Sequence, residues 1–125
     1  MRKVLSVDDS AVMRKIVGRT VDLLGYGLLE AGNGRDALGV LERHHAEVAL
    51  IILDVNMPEM DGFEFLERVK ERPEFRAIPV MMLTTETERG RIIQALMAGA
   101  VNYISKPFTG EDLAVKIAEC LGEGV

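Results

Sequence analysis

The sequence predicts an α/β fold in which a parallel β-sheet is covered by helices on both faces. Short apolar segments alternate along the chain with longer amphipathic segments, which is the pattern of repeated strand–helix units. Two of the apolar segments, residues 48–53 and 78–83, contain no polar side chain, as expected for strands buried on both faces. The length of 125 residues and the hydrophobic content of 48% match one domain with one core.

Five strands are predicted, at residues 4–7, 27–30, 48–53, 78–83 and 101–104. The first helix follows Ser10, which is a typical N-cap residue, and the second follows Asn33. The third helix opens less distinctly at Gly62 and Phe63. One apolar stripe at helical spacing identifies the first helix, and its members are Met13, Ile16, Val17, Thr20, Val21 and Leu24.

The last two helices each begin with a capping-box pattern, formed by Thr85 with Glu88 and by Thr109 with Asp112. In the fourth helix an apolar stripe predicts a buried face, and it consists of Ile92, Ile93, Leu96, Met97 and Ala100.

The histidines, two arginines and most methionines are expected to have structural rather than catalytic roles. His44 and His45 are expected to cap the C-terminus of the second helix, where a positive charge is favourable. Arg89 and Arg91 are expected on a solvated helix face. The methionines are expected to fill the core and loops, and those concerned are Met57, Met60, Met81, Met82 and Met97.

Composition narrows the functional classes. The net charge of −5 argues against a nucleic-acid partner. The single cysteine, Cys120, excludes an internal disulfide and is expected to be a buried packing residue. No segment approaches the roughly 18 apolar residues of a membrane span. We therefore expect a monomeric cytoplasmic protein, a single domain over residues 1–125, with no nucleic-acid or membrane partner.

Polar residues follow four of the predicted strands. Asp8 and Asp9 follow the first, Asp54 the third, Thr84 the fourth and Lys106 the fifth. Right-handed crossovers bring all strand C-termini to one edge of the sheet, where open α/β folds bind ligands. Three carboxylates gathered there repel one another by roughly 4 kcal/mol per pair at 4 Å and an effective dielectric near 20.

A hard divalent cation such as Mg²⁺, together with Lys106, would offset that repulsion. The same positive charges would neutralise a phosphoryl group arriving at Asp54, and the Thr84 hydroxyl would donate a further hydrogen bond. The sequence therefore predicts that Asp54 is a nucleophile for phosphoryl transfer.

Four segments make the chain resemble the receiver domains of two-component response regulators, in particular those of chemotaxis. The resemblance covers essentially the whole chain and implies a flavodoxin-like (βα)5 three-layer sandwich with a five-stranded parallel sheet of order 2-1-3-4-5. The segments are VDDS at residues 7–10, DVNMPEMDG at 54–62, LTT at 83–85 and KPF at 106–108.

The resemblance also implies a function. The chain would be a stand-alone response regulator that takes a phosphoryl group from a histidine kinase onto Asp54 in a Mg²⁺-dependent reaction. It would promote its own phosphorylation and dephosphorylation rather than act as a classical enzyme. Phosphorylation would change its affinity for a partner protein in chemotaxis or in a phosphorelay.

Metal-binding and phosphate-binding roles carry over residue by residue. The resemblance makes Asp9 and Asp54 direct metal ligands, with Asp8 acting through a bound water and Asn56 through its backbone carbonyl. The phosphate would be held by Thr84, Lys106 and the backbone of Thr85.

Further roles concern signalling. Tyr103 and Thr84 would form the switch, Asn56 and Glu86 would set the lifetime of the phosphoryl group, and the Lys106–Pro107 peptide bond would be cis. Ser10 departs from the chemotaxis prototype, which carries an aromatic residue at that position. The output partner, a flagellar motor switch or a phosphorelay protein, would bind the face formed by residues 89–100, 101–104 and 112–121, where Gly90 weakens the first turn of the fourth helix.

Three other functions fit parts of the pattern. A haloacid-dehalogenase-like phosphatase also uses an aspartyl phosphate and Mg²⁺, but that family has an aspartate two residues after the nucleophile and this chain has Asn56. A flavodoxin-like flavin site would need phosphate donors where Asp8 and Asp9 stand, and the chain has no glycine-rich phosphate loop. A receiver that binds partners without phosphorylation would fit if the acceptor or the lysine were missing, and both are present.

Overall fold

A computed structural model describes residues 2–57, 60–85 and 89–122, in which strands and helices alternate. The elements are β1 (Lys3–Val7), α1 (Ala11–Leu23), β2 (Gly27–Ala31), α2 (Gly34–His44) with a short 3₁₀ turn (His45–Glu47), β3 (Val48–Asp54), α3 (Gly62–Glu71), β4 (Val80–Thr85), α4 (Arg89–Met97), β5 (Asn102–Lys106) and α5 (Gly110–Cys120).

The five strands form one parallel sheet in the order β2-β1-β3-β4-β5. This confirms the fold and the strand order that the resemblance implies. The central strand β3 is buried along its whole length. Its residues alternate between two cores, since Leu50 and Ile52 pack on the side of α1 and α5, whereas Ile51 and Leu53 pack on the side of α2, α3 and α4. The three-layer arrangement follows from this alternation.

Side chains cap most of the helix N-termini as predicted. Ser10 Oγ accepts a hydrogen bond from the Met13 N–H at 3.2 Å, and Asn33 Oδ1 accepts one from the Asp36 N–H at 2.8 Å. Thr109 and Asp112 form the reciprocal capping box of α5.

Other helix ends differ from expectation or lie outside the described residues. The cap of α3 is Asp61, which the sequence interpretation missed, and its Oδ1 accepts from the Glu64 N–H at 3.0 Å. The predicted capping box needs the Thr85 side chain and Glu88, and both lie outside the described part of the structure. At the end of α2, the His45 ring contacts the Leu41 carbonyl as predicted, whereas His44 pairs with Glu47 at 2.9 Å.

Strand boundaries correct the prediction at the edge that carries the site. The strand β4 begins at Val80, two residues later than predicted, because Pro79 has no N–H for the ladder. The strands β3, β4 and β5 also continue beyond the apolar segments. Asp54 and Lys106 are the last residues of their strands and Thr84 lies inside β4, so these residues belong to the strands rather than follow them.

The predicted buried stripe of α4 is wrong. Ala95 and Ala100 are buried, but Ile93 is 63% exposed, Leu96 42% and Met97 84%. The small side chain of Ala95 faces the sheet, and the larger apolar side chains face solvent, so Met97 is not a core residue.

Two further expectations concern the environment of Cys120 and the presence of membrane-spanning helices. Cys120 is only partly buried rather than fully packed, and burial raises the pKa of its thiol to about 11. Within the described residues, no helix is long and apolar enough to cross a membrane.

Candidate functional site

Three carboxylates meet at the C-terminal edge of the sheet. Asp8 and Asp9 leave β1, and Asp54 ends the neighbouring strand β3, where Val7 pairs with Leu53. One oxygen from each of the three carboxylates lies within 4.8 Å of the others. Asp8 and Asp54 are buried, whereas Asp9 is exposed. The cluster predicted from the strand ends is therefore present.

Asp8 is a buried carboxylate of the cluster with few compensating contacts among the described residues. Its Oδ1 accepts a hydrogen bond from the Ser10 N–H at 2.9 Å. Its Oδ2 is buried and has no hydrogen-bond partner among the described residues. Burial raises the pKa of Asp8 to about 6, the Ser10 N–H opposes this increase, and the neighbouring charge of Asp54 adds to it. Asp8 therefore lacks sufficient compensating charge.

Asp54 faces the predicted lysine across the site. Lys106 Nζ lies 3.3 Å from Asp54 Oδ1, and the Asn56 N–H donates to the same oxygen at 3.4 Å. Burial raises the pKa of the Asp54 carboxyl, while the charge and hydrogen bond of Lys106 oppose the shift. The ammonium group thus offsets part of the repulsion within a cluster of three acids.

The strand register brings the hydroxyl residue and the lysine to the same edge. Asp54 pairs with Leu83, so Thr84 lies one residue further along β4, and its side chain is buried. On the other side, Thr85 pairs with Lys106. The Lys106–Pro107 peptide bond is cis, as the resemblance implied.

Gly62 is a site residue that the sequence interpretation passed over except as a helix start. A Cβ atom at this position would lie 2.6 Å from the Asp54 carbonyl oxygen, closer than real Cβ contacts come. The Gly62 N–H donates to the Val55 carbonyl at 3.0 Å. Because only glycine permits this approach, the start of α3 can lie directly against the backbone of the acceptor residue.

Arg14 of α1 was also missed, and no motif in the sequence marks it. Its guanidinium donates to the Asp8 carbonyl oxygen at 2.5 Å and to Glu30 Oε1 at 3.0 Å. It therefore fixes the chain between β1 and α1 from which Asp8 and Asp9 project.

Arg91 corrects the expectation of a solvated arginine on α4. Its guanidinium carbon lies 4.6 Å from the centre of the Phe63 ring. One nitrogen donates to Asn56 Oδ1 at 3.4 Å, and another lies 3.9 Å from Asp61 Oδ2. Arg91 therefore connects α4 to the loop after Asp54. The Arg89 side chain and the whole of Glu86 lie outside the described residues.

Tyr103, the predicted switch residue, is half-buried on the edge strand β5. The Lys116 ammonium lies 5.6 Å from the centre of its ring. Beside the ring is a surface cavity of about 320 Å³, lined by Ile92, Ile93, Tyr103 and Ser105. Tyr103 thus lies between the edge of the sheet and the exposed side of α4.

The sequence matches a family model for the response regulator receiver domain over residues 4–118. The chain belongs to this family. This receiver is 42% identical over 123 residues to a chemotaxis protein CheY homolog of Campylobacter jejuni, covering 98% of this chain and 94% of that protein. It is 43% identical over 121 residues to chemotaxis protein CheY1 of Helicobacter pylori, covering 96% and 97%.

A solved structure gives the same result in three dimensions. The receiver superimposes on chemotaxis protein CheY4 of Vibrio cholerae with a TM-score of 0.87 at 39% identity, covering 97% of this chain and 99% of that one. The chain is therefore a CheY-like receiver domain of two-component signalling, and such domains are signalling domains rather than classical enzymes. Family membership argues against both the haloacid-dehalogenase and the flavin-binding alternatives.

Proposed function

We propose that this receiver is a stand-alone response regulator that accepts a phosphoryl group on Asp54 from the phosphohistidine of a histidine kinase. Residues 1–125 would form one receiver domain. The observation that carries the proposal is the position of Asp54, a buried carboxylate with Lys106 at 3.3 Å and two further carboxylates in contact range. A purely structural aspartate would not need a lysine and two other acids around it.

The residues present fit a Mg²⁺ ion, which this family binds at an acidic pocket. Three carboxylates face one lysine, and Asp8 Oδ2 is buried without a partner among the described residues. In the proposed arrangement Asp9 and Asp54 are direct ligands, with Asp8 acting through water and Asn56 through its backbone carbonyl. When bound, Mg²⁺ supplies positive charge that offsets both the carboxylates and the phosphoryl oxygens.

Phosphoryl transfer requires little covalent chemistry from the protein. A carboxylate oxygen of Asp54 forms a bond to phosphorus as the nitrogen–phosphorus bond of the donor breaks, and the electron pair of that bond stays on the donor imidazole. Lys106 then exchanges its contact with Asp54 for one with a phosphoryl oxygen. The Thr84 hydroxyl and the Thr85 backbone N–H donate to the remaining oxygens, which stabilises the developing charge. Asn56 and Glu86 would set the lifetime of the product.

The signal would leave the site through Thr84 and Tyr103. The phosphoryl group carries about 1.5 to 2 negative charges in place of the single charge of the Asp54 carboxylate, and its oxygens would draw the Thr84 hydroxyl toward Asp54. The space vacated beside α4 would then admit the Tyr103 ring.

The output partner would bind the predicted face of residues 89–100, 101–104 and 112–121. Among the described residues of this face, Ile93, Met97, Val101 and Val115 are exposed apolar side chains. We take these exposed apolar residues, which belong to α4, to the segment before β5 and to α5, as part of the docking surface. A flagellar motor switch protein or a phosphorelay protein is the proposed partner, as the names of the chemotaxis relatives favour.

Incubation with acetyl phosphate and Mg²⁺, followed by intact-mass analysis, tests the proposal. The wild-type receiver should gain the mass of one phosphoryl group, and the gain should disappear in EDTA and in Asp54→Asn. Asp22→Asn, which changes an exposed aspartate at the end of α1, is the matched control and should be labelled normally. Labelling that survives Asp54→Asn would refute the assignment, and an unlabelled wild type would favour a receiver that works without phosphorylation.

A further inference from the structure

Arg91 makes three contacts that a solvated surface arginine would not make together. It lies over the face of Phe63, it donates to the side-chain oxygen of Asn56, and it lies near Asp61. Phe63 belongs to α3 and is almost completely buried, so the ring gives the guanidinium a fixed platform. The ion pair with Asp61 is exposed and contributes little by itself. The informative contacts are therefore those with Phe63 and Asn56.

Asn56 connects Arg91 to the acceptor residue. Its backbone N–H donates to Asp54 Oδ1, and its side-chain oxygen accepts from Arg91. A guanidinium group only donates hydrogen bonds, so it selects the oxygen end of the carboxamide. Arg91 thereby holds the Asn56 side chain with its oxygen toward the guanidinium, so the NH₂ group at the other end of the carboxamide has a fixed direction.

We propose that Arg91 is a positioning residue that orients Asn56 and thereby accelerates hydrolysis of the phosphoryl group on Asp54. In this step a water oxygen forms a bond to phosphorus, the bond between phosphorus and the Asp54 oxygen breaks, and the proton of the water leaves with inorganic phosphate. An oriented carboxamide beside the phosphoryl group positions the attacking water, which is a recurrent role of amide side chains in phosphoryl transfer. The inference rests on the proposed function of Asp54.

The position of Arg91 on α4 gives the inference a consequence for signalling. The neighbouring Gly90 is exposed, and no described atom lies within 4 Å of the place that a Cβ would take there. Among the described residues, position 90 therefore faces open space, and α4 has a residue of low helix propensity directly beside Arg91. A displacement of α4 would withdraw Arg91 from Asn56 and slow the loss of the phosphoryl group. The lifetime of the signal is in this way connected to the helix that carries the exposed apolar residues.

The test is a double-mutant cycle on the rate at which the labelled receiver loses its phosphoryl group in Mg²⁺ after the donor is removed. Arg91→Ala should slow the loss about fivefold, the effect of one net hydrogen bond of about 1 kcal/mol. In an Asn56→Ala background the same substitution should change the rate by less than about twofold, because the group that Arg91 positions is already gone.

Two further variants separate positioning from general damage. Arg68→Ala removes an arginine of α3 whose exposed ion pair with Glu64 is also 3.9 Å long, and it should leave the rate unchanged. Arg91→Lys keeps the positive charge and the aliphatic stem but loses the planar fork, so it should also slow the loss. Arg91→Lys serves as the deciding variant if Arg91→Ala does not fold.

The possible outcomes separate the proposed role of Arg91 from the proposed phosphorylation of Asp54. A labelled wild type with unchanged or faster loss in both Arg91 variants would overturn the inference alone. An equal slowing by Arg91→Ala in the wild-type and Asn56→Ala backgrounds would show a structural effect and would also overturn it. A wild type that is never labelled would overturn the proposed function and the inference with it.

Discussion

The helices α3 and α4 lie on the same side of the sheet, and both carry apolar residues at helical spacing, yet they use them in opposite ways. In α3 the side chains of Phe65, Leu66 and Val69 are fully buried. In α4 the large side chains Ile93 and Met97 are mostly exposed. The difference shows that helical periodicity identifies an apolar face but does not determine whether that face is covered by the same chain.

The position of each helix in the fold explains the difference. α3 packs against α2, whereas α4 packs against β4, next to the edge strand β5. A helix at the edge of a sheet cannot have a neighbouring helix on each side, so part of its surface stays open. The apolar residues of α3 therefore stabilise the fold, and those of α4 form a surface that a partner can cover.

Removing a large side chain from α3 should have the largest effect on stability. Phe65 is fully buried, so we expect Phe65→Ala to lower the free energy of unfolding by about 3 to 5 kcal/mol, through lost burial and the cavity left behind. Urea unfolding followed by circular dichroism would measure it. A loss below about 1 kcal/mol would contradict the assignment of α3 to the core.

Two glycines, one in each helix, give the next test. We expect Gly62→Ala to destabilise the protein by about 1 to 3 kcal/mol and to impair labelling of Asp54, because the added Cβ would collide with the Asp54 carbonyl. Gly90→Ala in α4 meets no described atom within 4 Å and should stabilise by up to about 1 kcal/mol. Thermal melts would measure stability, and intact mass would measure labelling. Equal effects of the two substitutions would contradict the conclusion that position 62 is crowded and position 90 is open.

Burial of the Asp8 carboxylate at the end of β1 lowers the stability of the fold, whereas burial of the apolar side chains of α3 raises it. Its folded-state pKa of about 6 exceeds the ordinary value of 3.8, so between these pH values the folded state retains a proton that the unfolded state has lost. Stability without Mg²⁺ should therefore fall as pH rises from about 4 to 6. Asp8→Asn should flatten this dependence and raise the free energy of unfolding at pH 7 by about 1 to 3 kcal/mol.

The exposed Asp22→Asn should keep the pH dependence of the wild type and serves as the control. An Asp8→Asn protein that is less stable at pH 7 without Mg²⁺ would show that Asp8 stabilises the fold, contrary to the repulsion inferred within the acidic cluster. Urea unfolding across this pH range in EDTA provides the measurement.

The smallest effect on stability is expected on α4. Met97 is 84% exposed, so Met97→Ala should change the free energy of unfolding by less than about 0.5 kcal/mol. The same substitution should weaken binding of an output partner if α4 forms the docking surface. A stability loss comparable to that of Phe65→Ala would mean that Met97 is covered within the chain.

Much of the fold could be predicted from the sequence because its signals are local. Apolar segments with flanking caps such as Ser10 and Asn33 identified strands and helices, and the gathering of Asp8, Asp9 and Asp54 followed from the geometry of parallel sheets. The order of the strands needed the resemblance to receivers, because periodicity does not encode which strands are neighbours.

The remaining features depend on contacts between distant residues. The contacts of Arg91 with Phe63 and Asn56, and of Arg14 with the Asp8 carbonyl, are visible only after the chain has folded. The strand ends were predicted too early because polar site residues interrupt the apolar pattern while the hydrogen-bond ladder continues. The apolar face of α4 was misassigned because helical periodicity identifies an apolar face but does not show whether the same chain covers it.

The most direct test of the proposed signalling route is whether occupation of Asp54 reaches the surface of α4. Amide-resolved NMR spectra would be recorded with and without beryllofluoride and Mg²⁺, which together mimic the phosphorylated state. We expect shifts at Asn56 and Gly62, which report occupation, and further shifts at Tyr103 and from Ile93 to Val101. The buried residues Phe65, Leu66 and Val69 should remain nearly unchanged. Shifts confined to Asn56 and Gly62, with α4 and Tyr103 unaffected, would contradict the proposed route of the signal.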